Sequence, residues 1–278
     1  MAQGKGQKVK KAAVRVLALL LALTAFLWWS HNSLQVEQFT LQSSHLPSPF
    51  HGLRIVQLSD LHGRQFGKDN RRLIKAVQEQ KPDMIAVTGD LLDEEHREVD
   101  SILPLMKALV ETAPTYYITG NHEWAAHIVP ELTEKLESVG VRCLRNEFEP
   151  IEKLGCRIVV AGVDDPNGPA DQKTPQQLAA ELKRRYEGNF WLLLAHRNVD
   201  YYEYAGLGAD LILTGHAHGG VIRLPGTDGL VGPRLEWFPT WTDGIYLDFA
   251  TPMFVSRGLG GFRLFNRPQV AVLELKCA

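Results

Sequence analysis

Leu53-Arg54-Ile55-Val56-Gln57-Leu58, followed at once by Ser59-Asp60-Leu61-His62, is the stretch on which the fold turns. Its apolar positions alternate and favour β-structure, so it reads as a strand with two potential ligands just past its end. The same unit recurs down the chain. Residues 70–80 have helical spacing, 83–88 form an apolar strand, and Gly89-Asp90-Leu91-Leu92-Asp93 follows. Residues 102–111 read as a helix and 115–119 as a strand that ends in Gly120-Asn121-His122-Glu123. Beyond these come a helix at 130–139, a strand at 157–161, a helix at 175–186 and strands at 190–195 and 210–214. The last two run into Ala195-His196 and Gly215-His216-Ala217-His218. Strands alternating with helices in this way imply an α/β sandwich. From 221 to 275 short alternating segments rich in Gly, Pro and aromatics predict antiparallel strands and loops that close the domain.

Upstream of the first strand, residues 30–51 are polar and broken by Leu46-Pro47-Ser48-Pro49, which reads as a linker with one short strand at 36–41. Lys5, Lys8, Lys10, Lys11 and Arg15 precede an uncharged run at 16–29. Taken from residue 12 with Arg15 snorkelling, that run covers roughly 27 Å as a helix, against a hydrocarbon core of about 30 Å. It can span a bilayer. A cleaved signal peptide is the competing reading, but Leu23 occupies the critical position of the small-residue candidate at 22–25. Basic residues all lie before the run, so the positive-inside rule puts the bulk of the chain outside the cytoplasm, with Trp28 and Trp29 at the outer interface. The expected organisation is a basic segment 1–15, an anchor 16–29, a linker 30–51 and one catalytic domain 52–278.

Composition narrows the function further. A net charge of -2 gives no global reason to bind nucleic acid. Three cysteines are too few for a disulfide scaffold, and no Cys-x-x-Cys pair suggests a structural zinc site. Cys143 and Cys156 lie in apolar runs, 141–144 and 156–161, that could pair as a hairpin; two buried free thiols are the alternative. No Gly-x-Ser-x-Gly points to a serine hydrolase, and no His-Glu-x-x-His points to a zinc protease.

Five polar clusters, each just past a strand, make one convergent site the expectation. Carboxylates, imidazoles and an amide oxygen form a mixed ligand set that suits Mn, Fe or Zn better than Mg or Ca. Two such ions about 3.5–4 Å apart can clamp a phosphate and activate water. His31, His45, His51, His96 and His127 belong to no cluster and read as surface residues.

Asp-x-His, Gly-Asp-x-x-Asp, Gly-Asn-His-Glu, His and Gly-His-x-His, in that order from residue 53 onward, resemble the calcineurin-like metallophosphoesterase superfamily. The anchor together with Val255-Ser256-Arg257-Gly258-Leu259-Gly260 is similar to its bacterial YaeI- and YkuE-like phosphodiesterase branch. The resemblance implies a four-layer α-β-β-α sandwich behind a transmembrane or signal-anchor helix, in the bacterial inner membrane. It implies two divalent ions, Mn first, with Asp60, His62 and His218 at one, Asn121, His196 and His216 at the other, and Asp90 bridging. His122 would stabilise the transition state or protonate the leaving oxygen, Glu123 would orient its ring, and Asp93 would support a ligand.

Among Arg64, Arg197, Arg257 and Arg263, Arg197 is the first candidate to meet a phosphate oxygen. It stands, with Asn198, where the family pattern has Pro after His196. The reaction expected is hydrolysis of a phosphodiester or phosphomonoester by a hydroxide bridging two metals, and the anchor suits a membrane-associated substrate. The alternatives are a UDP-2,3-diacylglucosamine-type pyrophosphate hydrolase and a non-catalytic scaffold. Loops 94–100, 164–175 and 224–242 are expected to wall the pocket, where Trp237, Phe238 and Trp241 could accept a base or an acyl chain.

Overall fold

The computed structural model describes residues 2–224 and 227–278, with side chains from residue 10 onward. The Lys5 and Lys8 side chains of the expected basic segment, and Pro225 and Gly226 of the expected pocket loop, lie outside the described residues. A helix α1 (Ala2–Asn32) leads into β1 (Gln35–Ser43), β2 (Leu53–Leu58), α2 (Arg71–Gln78), β3 (Met84–Thr88), α3 (Leu103–Thr112) and β4 (Thr115–Ile118). Then come α4 (Asn121–Ala125), α5 (Val129–Ser138), β5 (Arg142–Cys143), β6 (Glu147–Lys153) and β7 (Cys156–Gly162). Next are α6 (Pro175–Arg185), β8 (Phe190–Arg197), α7 (Tyr201–Ala205) and β9 (Leu211–Gly215). The last stretch supplies β10 (Ile222–Arg223), β11 (Gly229–Val231), β12 (Gly244–Tyr246), β13 (Met253–Val255) and β14 (Gln269–Cys277).

Two six-stranded sheets result, ordered β1-β14-β2-β3-β4-β5 and β12-β13-β9-β8-β7-β6. The period-2 alternation of each strand decides which layer its side chains enter. Ile55, Met84, Ala86, Tyr116 and Ile118 meet Ile158, Val160, Leu192, Leu194 and Leu213 between the sheets. Val56, Ile85, Val87 and Tyr117, one position out of phase, face α2, α3 and α5 through Leu73, Val77, Leu105, Leu109 and Leu132. Val159, Trp191, Leu193 and Ile212 face Leu178 and Leu182 of α6 and Tyr201 of α7. This is the four-layer α-β-β-α sandwich expected from the sequence.

The short strand expected at 36–41 forms and is longer than read, and one expected pairing does not form. The polar stretch at 30–51 contributes β1, which runs from Gln35 to Ser43 and pairs in parallel with β14 along its whole length. Its side chains alternate between partly buried and exposed, as on an edge strand, which is why it reads as a linker. The proposed hairpin of Cys143 and Cys156 does not form: β5 pairs with β4 in the first sheet, whereas β7 belongs to the second. All three cysteines are free, with Cys143 buried.

Within the first sheet β2, β3 and β4 run parallel, and in the second β7, β8, β9 and β13 do. Their carboxyl ends meet at one edge of the sandwich, where open α/β sheets gather ligand loops.

Candidate metal centre

Three of the five clusters leave their strands through a sharp reversal. Asp60, His62, Asp90, His216 and His218 all have positive φ, between 49° and 64°. Few non-glycine residues adopt this conformation, though Asp, Asn and His tolerate it best, and it aims successive side chains back over the strand ends. Close backbone approach is built in too: a Cβ on Gly120 would collide with the Asp90 carboxylate, and one on Gly215 with Ser59.

The result brings all seven expected ligands to one place. Asp60, His62 and His218 offer ligand atoms within 4.8 Å of one another, and so do Asp90, His196 and His216. His196 Nδ1 lies 2.8 Å from the Thr88 carbonyl, to which it can donate, and its Nε2 is then turned toward Asn121 Oδ1 at 3.1 Å and His216 Nδ1 at 3.2 Å. Asp90 Oδ2 stands between the two groups, 3.1 Å from His196 Nε2 and 3.8 Å from His62 Nε2. Neither contact is aligned as a hydrogen bond: Asp90 Oδ2, His62 Nε2 and His218 Nδ1 are buried without a hydrogen-bonding partner. Buried polar atoms left in this way are costly unless something absent from the chain satisfies them. A donor set of two carboxylates, four imidazoles and an amide suits divalent cations of the Mn, Fe or Zn kind.

Electrostatics agrees. Burial pushes the Asp60 and Asp90 carboxyls up, but attraction to His218 and His196 at Asp60, and to His196 and His62 at Asp90, leaves both below the usual range. His196 is lowered by burial yet raised more by Asp90 and Asp60, ending at about 10. Burial instead brings His216 down to about 3 and His218 to about 4, so both rings are neutral, as ligands must be. Without a metal, a proton on His196 supplies the positive charge that the carboxylates call for.

Around the cluster, Asp93 stands behind His62. Its Oδ2 lies 3.2 Å from His62 Nδ1, which orients the ring so that Nε2 faces Asp90. His96, read from the sequence as a surface residue, holds the other Asp93 oxygen through its ring and backbone nitrogens at 2.9 and 2.8 Å. Glu123 requires a correction. Adjacent residues on the short helix α4 point apart, so its carboxylate does not reach the His122 ring. It accepts instead from the backbone N–H groups of Gly120, Asp90 and Leu91 at 2.8, 3.0 and 2.5 Å, clamping two ligand loops together. The partner of His122 is Glu94, whose Oε2 lies 2.8 Å from Nδ1.

Arg197 is likewise corrected. It forms a bidentate pair with Asp165 at 2.7 and 2.8 Å and a bond to Asn167 at 3.0 Å, which ties down the 164–175 loop and leaves its guanidinium committed. Arg257 pairs with Glu37 and Asp243 at 2.7 and 2.9 Å, and Arg263 donates to the Gly260 and Arg257 carbonyls at 2.6 and 2.7 Å. Arg64 donates to the Leu259 and His31 carbonyls.

The sequence profile described as calcineurin-like phosphoesterase matches residues 53–220, the span that carries every clustered ligand. The chain belongs to that family. Calcineurin-like phosphoesterases similar to it include YkuE of Bacillus subtilis strain 168, named an uncharacterized metallophosphoesterase. YkuE is 28% identical over 256 residues, covering 88% of this chain and 86% of YkuE. A transmembrane protein with a metallophosphoesterase domain from Bos taurus is 29% identical over 239 residues, covering 80% of this chain and 53% of that protein. The solved structure of Haemophilus influenzae NAD nucleotidase shares the fold, with a TM-score of 0.50 over 77% of this chain and 45% of that one, at 18% identity. The chain is thus a metal-dependent phosphoesterase of the calcineurin-like family, from its YkuE-type branch, with an N-terminal apolar helix that suits membrane anchoring.

Proposed function

We propose that this chain is a binuclear phosphoesterase, acting on a phosphodiester or a phosphomonoester with the diester first, that uses two divalent ions, Mn first. Asp60, His62 and His218 would hold one, Asn121, His196 and His216 the other, and Asp90 both. The observation that carries this reading is the partnerless Asp90 Oδ2, buried between the imidazoles of the two groups. Bound there, the ions would supply Lewis acidity toward a phosphate oxygen and make a bound water more acidic. The chain's own residues do the rest. Asp93 and the Thr88 carbonyl fix the rings of His62 and His196, and Glu123 holds the Asp90 and Asn121 loops in register. Glu94 fixes the His122 ring by Nδ1, leaving the other nitrogen to hydrogen-bond the substrate phosphate or give a proton to the leaving oxygen.

We assign residues 1–15 to a basic flank, 16–29 to the membrane anchor, 30–51 to the segment that joins it to the fold, and 52–278 to the catalytic unit. Lys10–Asn32 is a helical stretch of 23 residues with a mean hydropathy of 2.0 in its most apolar window, and Lys10, Lys11 and Arg15 lie at its amino end. That asymmetry favours a single pass through the bacterial inner membrane with the catalytic domain on the periplasmic side.

The test is hydrolysis of a chromogenic phosphodiester and its monoester by the detergent-solubilised chain, stripped of metal and then given Mn. Turnover should require the metal. His122→Ala should lower kcat by about 10²–10⁴-fold with metal content unchanged, and Asp90→Ala should lose both metal and turnover. Full activity after complete chelation would refute the reading.

A further inference from the structure

The register of the first sheet says where the metal centre lies relative to the membrane. Gln57, on the last turn of β2 before Asp60, pairs with Ala271 of β14, and Ala271 pairs on its other side with Glu37 of β1. Neighbouring strands are about 4.8 Å apart, so Glu37 stands about 10 Å from the rung that leads into the ligand loop. Helix α1 ends at Asn32 and β1 begins at Gln35. The anchor therefore leaves the domain at the edge that carries the active site, and the opposite edge faces away.

Side chains fix this arrangement. Arg72 donates to the Asn32 carbonyl at 3.0 Å, Arg267 to Leu34 at 2.7 Å, and Arg64, in the loop just past His62, to His31. They satisfy carbonyls at the helix end and complement its dipole. Phe26 of α1 packs on Phe265 with ring centroids 5.9 Å apart, and Arg267 lies over Trp29 at 4.7 Å. Phe265 belongs to the loop that backs His218, since Asn266 donates to the His218 carbonyl.

Three hollows that share lining residues border, in turn, the helix, the loop at 227–240 and His216. The first, about 650 Å³, is bounded by Phe26 and Trp29 and by Leu224, Thr227 and Asp228. Those last three also bound a second hollow of about 620 Å³, which reaches Phe238, Pro239 and Thr240. The third, about 380 Å³, shares that wall and ends on His216. Large apolar side chains stand exposed on one loop here: Leu235, Trp237 and Phe238 are each at least 70% exposed, and Trp237 and Phe238 line these hollows. The loop that presents them is fixed by backbone bonds from Phe238 to Leu230 and from Gly232 to Glu236, at 3.0 and 2.8 Å. Aromatic and aliphatic side chains exposed together on a loop suit contact with a bilayer.

We propose that the substrate is an amphiphilic phosphoester whose apolar part stays in the bilayer that holds α1, while its phosphate reaches the metal centre along the wall formed by Trp237, Phe238 and Pro239. This deepens the phosphodiesterase reading and rests on it. Hydrolysis breaks the P–O bond by addition of water, leaving the apolar fragment in the membrane and releasing the polar one.

The test uses the full chain with Mn in phosphatidylcholine vesicles and two phosphodiesters with the same leaving group, one long-chain and membrane-embedded, the other short-chain and water-soluble. The long-chain ester should be preferred in kcat/KM, and Trp237→Ser/Phe238→Ser should reduce that preference about tenfold. Acyl chains brominated near the headgroup should quench the wild-type protein more than Trp237→Phe, because Trp237 would touch lipid. Turnover of both esters without preference, and equal quenching of the two proteins, would overturn the proposal and leave the phosphodiesterase reading standing. No turnover of either ester, with Trp237 still quenched, would instead overturn the phosphodiesterase reading, and the substrate class with it, while preserving the orientation.

Discussion

Asp93 shows how much one carboxylate does here. It holds His62 from behind by Nδ1 and leaves Nε2 directed at Asp90. Asp93→Asn retains the size but loses the charge, and metal affinity should fall by about 10–100-fold in a chelator competition. Unchanged affinity would reduce Asp93 to a cap for its own loop through the Glu95 and His96 N–H groups. Cys143 allows a second prediction. Burial pushes its thiol up to about 12, so it should stay unmodified by iodoacetamide at neutral pH in the native protein and react once the chain is unfolded. The ligands were legible in the sequence because each is a polar residue placed just past an apolar strand, in an order that matches a family. Their supports were not. Glu94 and Glu123 sit in plain view beside clusters, but spacing does not say that α4 turns Glu123 toward the backbone of the Asp90 loop, or that Glu94 crosses to His122.

Among the elements, β14 has the most to hold. It lies between β1 and β2, and Leu273 on it is fully buried between the sheets. Leu273→Ala should destabilise the domain by about 2–5 kcal/mol, lowering the melting temperature by roughly 2–4 °C for each kcal/mol. A scan by circular dichroism would measure it, and a shift within error would mean that this part of the inter-sheet layer can collapse around the lost volume. The inner strands announced themselves by alternation, so the layers could be read before any partner was known. β1 was read only in part, at 36–41, because an edge strand carries polar residues on its open side, and its partner β14 comes more than two hundred residues later. The 141–144 and 156–161 runs misled for a related reason: pairing in a sheet is settled by partners that a local pattern does not contain.

For the whole molecule, metal and pH should act on stability in separable ways. A metal that binds only the folded chain stabilises it by about 4 kcal/mol at a thousandfold excess over its Kd, so chelation should lower the melting temperature by roughly 8–16 °C. No shift would mean that the cluster is empty in solution. His45 bridges Asp210 at 2.7 Å, joining the end of β1 to the second sheet, and that hydrogen bond raises its pKa above the ordinary 6.5. A raised histidine stabilises fully below its unfolded value and loses that contribution as pH rises through its folded value. Stability should therefore decline slightly from pH 6.5 upward, by about 0.5 kcal/mol for so exposed a pair, and His45→Gln should flatten that part of the profile. The strand order also bears on biogenesis. A ribosome releases β1 and β2 more than two hundred residues before the strand that belongs between them, so neither can find its neighbour until then. A chain stalled short of residue 269 would therefore leave the facing edges of β1 and β2 open to other unfinished chains.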